Sequence, residues 1–148
     1  MNAKSIAVTG TRILLGLIFF VFGLNGFLHF LPQPPMVGNA AVLMGGFAAA
    51  GYMFPLIKGT EVLGGALLLS NRFVPLGLVL LAPVVVNIVL FHTFLAPPNP
   101  VTAVVLLGEL FLAWSYRAAF APMLRAKVSP AGSTEGADTA KSSTAVAQ

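Results

Sequence analysis

The chain contains no cysteine, which excludes disulfides, thiolate-held metals and iron–sulfur clusters, and dithiol redox chemistry. Any redox role would therefore need a bound cofactor or a partner subunit. Charge is almost as scarce. Only 8% of the residues are Asp, Glu, Lys or Arg, against about a quarter in ordinary soluble domains. Hydrophobic residues make up 57% of the chain, and the mean hydropathy is positive. A chain with so little to offer water is expected to be an integral membrane protein, with the lipid bilayer as its first partner. Its 148 residues accommodate four or five spans of about 20 residues each and no separate catalytic domain. The net charge of +4 comes from basic residues placed singly at the ends of apolar runs. No basic stretch is interleaved with exposed aromatics, so nucleic acid is not an expected partner.

The apolar runs predict an all-α fold, a bundle of four transmembrane helices over about 12–31, 56–70, 74–95 and 101–117. The first run is longer than the 7–15 apolar residues, roughly, of a signal-peptide core, and no A-x-A-like site closes it, so it reads as an uncleaved span. Residues 1–11 then form a short N-terminal segment, and 121–148, rich in Ser, Thr, Ala and Gly, an unstructured tail. Between the first two spans lie "PQPPMVGN" and the small-residue run Ala40 to Pro55. The positive-inside rule decides how that run sits. If it does not cross, Lys4, Arg12, Arg72, Arg117, Arg125 and Lys127 share the cytoplasmic side and only Lys58 lies outside. If it crosses, Arg72 and everything basic after it is inverted. The segment 36–55 is therefore expected to be a short extra helix or re-entrant element on the outer side.

Polar groups stranded in these spans are the candidate site. Glu61 interrupts "FPLIKGTEVLGGALLLS", and a carboxylate at a helix centre costs about 2.5 to 3.5 kcal/mol on insertion scales, so it persists where it faces protein or water. Lys58 is three residues away and can pair with it. Asn25 and His29 share a helix face at i,i+4. Asn87 and His92 are five apart, about 140° around a helix, and face one cavity only from opposite flanks or if Pro83 distorts the turn. Glu109 heads a stripe with Ala113, Tyr116 and Arg117. Counting about 1.5 Å per residue from the span ends puts all of these groups in the outer half of the bundle.

Each has a plainer reading. The two asparagines are equally suited to hydrogen bonding between helices, Lys58 can snorkel to the surface, and His29 suits a solvated position near the interface. His29 and His92 could ligate a haem between two spans, but no other haem cue accompanies them. Neither haem nor a protein-held metal is expected.

The stretches "RILLGLIFFVFGLNGFLHFLPQPPM", "GYMFPLIKGTEVLGGALLLSNRFVPLGLVLLAPVVVNIVLFH" and "ELFLAWSYR" resemble the DoxX family of small bacterial and archaeal membrane proteins. The resemblance covers about Arg12 to Arg117 and is carried most specifically by the K-x-x-E-x-x-G-G-x-L-L-L stretch with the later Asn and His. It implies a four-helix bundle in the bacterial cytoplasmic membrane, in a family whose name-giving relative is similar to a subunit of a thiosulfate:quinone oxidoreductase. It also makes Glu61, Asn87 and His92 the polar positions of the family pattern. Many relatives have a lysine where this chain has Gly26. The expectation that follows is an oxidoreductase subunit with a quinone-type pocket. Asn25, His29, Asn87, His92 and Glu109 would bind the ligand, Glu61 would exchange protons and Lys58 would tune it. A non-catalytic anchor or assembly subunit and a small proton-coupled transporter are the competing classes.

Overall fold

A computed structural model describes residues 2–33 and 35–130. Among them are the helices α1 (Ala3–Leu28), α2 (Gly38–Ala49), α3 (Met53–Leu69), α4 (Val74–Phe94), α5 (Pro100–Ser115) and α6 (Arg117–Phe120), followed by a 3₁₀ turn at Ala121–Leu124. The boundaries follow local chemistry. Asn2 caps α1 by accepting from the Ser5 N–H at 2.9 Å, so the helix starts nine residues before the expected span. It stops at Leu28 because His29 turns left-handed, with φ 52°. Asn99 caps α5 in the same way, accepting from the Val101 N–H at 2.9 Å, with Pro100 in the first turn where its missing N–H costs nothing. Gly38 and Gly51, both at positive φ, bracket α2.

Two helices, α1 and α4, are each long and apolar enough to cross a membrane. The other candidates are broken. α2 meets α3 at 93°, and α5 meets the Arg117–Leu124 segment at 73°, so the chain has up to four spans if each bent pair counts as one. Ala40 to Pro55 is thus not a straight extension of the following helix, and Ala121–Leu124 is a helical turn rather than the start of an unstructured tail. The remainder of that expected tail, residues 131–148, lies outside the described residues.

One packed seam runs through the molecule. Leu15 and Phe19 of α1, Leu68 of α3, Leu78, Leu81 and Val85 of α4, and Val105 and Leu112 of α5 are almost fully buried. The opposite faces expose Leu14, Leu17, Leu63, Leu76, Leu90, Leu107 and Leu110. Apolar surface exposed on every long helix has no place in water. This is a small helical multi-pass membrane protein.

Glycines bring the backbones together along the seam. The most extensive helix contact is α1 against α3, where a Cβ added at Gly65 would lie 2.6 Å from Phe20 N and 2.9 Å from Gly16 O. Only glycine permits that approach. Gly64 receives Leu81 of α4, and Gly77 of α4 lies beside Leu67 and the Gly64 carbonyl. Gly108 of α5 receives Leu15 and Thr11 of α1. At the end where α3 finishes, Arg12 is buried and donates from Nη1 to the carbonyl oxygens of Leu68 and Leu69. These carbonyls belong to the last turn of a helix, where acceptor capacity is left over and positive charge is favoured.

Candidate functional site

Lys58 and Glu61 sit one turn apart on α3, and Lys58 Nζ donates to both carboxylate oxygens, at 3.0 and 2.8 Å. It is the ion pair that the described residues contain. The pair is asymmetric. The Glu61 side chain is 5% exposed, that of Lys58 25%, so the anion is sealed in and the cation reaches out. Helix α1 provides the seal with glycines. A Cβ on Gly23 would lie 3.0 Å from Glu61 Cβ, and one on Gly26 would collide with the Lys58 stem at Cγ and Cδ. The methylenes of Lys58 thus fill the space that a side chain at position 26 would take, and its ammonium is delivered from α3 to a spot beside α1. The expected i,i+3 pairing is therefore present, and the room for it is made on the neighbouring helix.

The other expected site residues do not all join it. Asn25 is buried on α1, but its Oδ1 accepts from the Leu31 N–H at 2.6 Å and its own carbonyl accepts from the His29 N–H at 2.9 Å. It closes the end of α1. His29 is that helix's left-handed cap residue and is exposed. Asn87 lies on the outward face of α4 with Pro83, Val86, Leu90 and Phe94, all exposed, and it has no hydrogen-bond partner among the described residues. His92 follows the inward stripe through Leu78, Leu81 and Val85. Its Nδ1–H donates to Ile88 O at 2.9 Å, and its ring meets Phe91 edge-on at 5.3 Å. The contacts of Gly64 with Leu81 and of Gly77 with Leu67 put Glu61 level with Pro83 and Val84, so His92 lies more than two turns beyond it. No hydrogen bond or ring contact joins the two histidines, and no cluster of three or more metal-ligating side chains occurs among the described residues.

Glu109 is a correction in depth. Its neighbour Gly108 packs on Leu15, whereas Glu61 packs on Gly23. The two carboxylates are therefore separated by about eight residues of α1, roughly 12 Å, and they do not share a level. Counting from Val101 failed because α5 is short and staggered against α1. Glu109 is buried, and its Oε2 has no hydrogen-bond partner, like Thr102 Oγ1 two turns earlier on the same helix face. The residue that sequence reasoning missed is Arg12, which it took as a boundary marker. Arg12 stands four residues before Gly16, in line with the row Gly16, Gly23 and Gly26 that faces α3, and that spacing is the signal that could have found it.

Comparison of the chain with protein-family models, curated proteins and solved structures gives no match.

Proposed function

We propose that the chain is a DoxX-like subunit of an oxidoreductase in the bacterial cytoplasmic membrane, binding a quinone-type lipophile where α1 meets α3. The observation that carries the reading is the Lys58–Glu61 pair, with a sealed carboxylate and a cation left accessible beside apolar surface. Lys58 would donate a hydrogen bond to a ring carbonyl arriving from the lipid, and Glu61 would hand over or recover the proton that accompanies reduction or oxidation of the ring. The electrons would come from a partner polypeptide, since this chain has no redox-active cysteine. The same reading takes four spans with both termini cytoplasmic. It is supported by the right-angled break before α3 and by the basic residues at the Arg12 end of the bundle.

Glu61→Gln is expected to insert and fold while lowering binding of a quinone analogue by at least tenfold, measured by equilibrium dialysis against the protein in nanodiscs. Unchanged binding rejects the quinone site.

A second reading, a non-catalytic assembly subunit, is favoured by Asn87. An amide on a lipid-facing surface has four hydrogen-bonding positions and none filled, and a helix of another polypeptide would fill them. Asn87→Leu is then expected to leave thermal stability in detergent within about 0.5 kcal/mol of the parent and to abolish co-purification of the partner. Full partner recovery would remove this reading.

A further inference from the structure

At the end of the bundle opposite Lys58 lies a cleft of about 380 Å³ lined by Lys4, Thr9, Arg12, Asn71, Ser115 and Tyr116 among others. We propose that it is a binding site for a phosphate group, separate from the Lys58–Glu61 pair. Three independent features lead there.

The first is charge. Arg12 is 7% exposed and spends Nη1 on the carbonyls of Leu68 and Leu69. Among the described residues its other nitrogens have no partner and it makes no ion pair. Lys4 lines the same cleft, and no carboxylate does. The described carboxylates are Glu61, paired far away, and Glu109, which does not line the cleft. Two cations on one helix therefore face this cleft without a counter-ion among the described residues. A guanidinium and an ammonium together suit phosphate oxygens, the first as a planar fork and the second as a point charge.

The second is the rest of the lining. Thr9, Ser115 and Tyr116 bring hydroxyls, and Asn71 an amide held at positive φ in the tight α3–α4 turn. These are neutral donors of the kind that complete an oxyanion's shell.

The third is depth. α1 has 26 residues and is about 39 Å long, whereas the hydrocarbon core is about 30 Å thick. Its first two turns project beyond that core, to where phospholipid phosphates lie. Trp114 and Arg117 mark the same level. Trp114 is 70% exposed, and the Arg117 guanidinium stacks 5.0 Å over its ring while donating to its carbonyl oxygen at 3.0 Å. Such aromatic and basic pairs anchor helices at the headgroup layer. A neighbouring concavity shares Lys4 and Ser115 with the cleft and adds Arg117, so the positive field extends across this end.

The shared chemistry is a phosphate, carried by an anionic lipid headgroup or free in solution. Native mass spectrometry of the full chain, titrated with phosphatidylglycerol or phosphatidylcholine, tests the first source, and thermal stabilisation by millimolar inorganic phosphate tests the second. Phosphatidylglycerol is expected to be retained over phosphatidylcholine, and Lys4→Gln to weaken its retention about fivefold, the effect of one basic residue near an anionic surface. Lys4 is exposed and outside the packed seam, so this variant keeps the fold. Arg12→Lys, which keeps the charge and loses the fork, is expected to weaken retention as well. Stabilisation by inorganic phosphate that Lys4→Gln abolishes would assign the site to soluble phosphate. Retention and melting unchanged in Lys4→Gln and in Tyr116→Phe would overturn the site.

Discussion

Lys58→Met is expected to destabilise the protein by about 2 to 3 kcal/mol, whereas the double variant Lys58→Met/Glu61→Leu should be close to the parent. The single change strands a carboxylate that is 5% exposed against the apolar flank of α1. Removing one partner of a buried pair typically costs about 3 to 5 kcal/mol, and replacing both with apolar residues is often neutral or stabilising. The lower figure applies because Lys58 keeps a quarter of its side chain accessible and is already partly solvated. Glu61→Leu should cost less than Lys58→Met, since a released Lys58 can extend toward the membrane surface. Unfolding in mixed micelles with increasing SDS measures all three. Additive penalties in the double variant would show that the two side chains do not stabilise each other. The cycle also isolates function from stability, because a double variant that is stable yet fails to bind quinone analogue assigns the pair to ligand and not to folding.

Gly65→Ala should have an effect of similar size for an unrelated reason. The added methyl would meet Phe20 N at 2.6 Å, Gly16 O at 2.9 Å and Phe20 Cα at 3.0 Å, and every one of these atoms is backbone. No rotamer change relieves the clash, so α1 and α3 must separate along their whole contact. Overpacking of this kind costs about 1 to 3 kcal/mol, and the upper end is expected here. Gly59→Ala, six residues earlier on the same helix, meets nothing within 4 Å and should stabilise by up to about 1 kcal/mol through helix propensity. Gly26→Ala is the informative intermediate case. Its methyl would meet the Lys58 stem, which can swing away, so the loss should appear in the ion pair more than in helix packing. Thermal melts of the three variants side by side check the order; equal midpoints would refute the close approach at Gly65.

The apolar runs were legible because bilayer thickness dictates their length, and the break before α3 because prolines, glycines and charge placement all mark it. Lys58 with Glu61 was legible too, since i,i+3 spacing on one helix requires no knowledge of any other. What could not be read was which way a uniformly apolar helix turns. α4 is hydrophobic all round, so nothing local says that Leu81 and Val85 face inward while Asn87 faces out. The geometry of five-residue spacing already warned that Asn87 and His92 could not readily share a face. Stagger was equally hidden. Glu109 falls at the level of Leu15 because Gly108 receives that side chain, a fact of packing between helices far apart in sequence. Asn25 stood out as a polar group but not as a cap, because the apolar letters around His29 conceal the end of α1.

Arg12 and Lys58 hold α1 to α3 at opposite ends, one by grasping carbonyls and the other by lying in a glycine notch. The two helices therefore make a clasped hairpin whose two fastenings need no residue beyond Leu69. Biogenesis can then proceed in two instalments, with α4 and α5 arriving later as a second hairpin that finds its docking face already built.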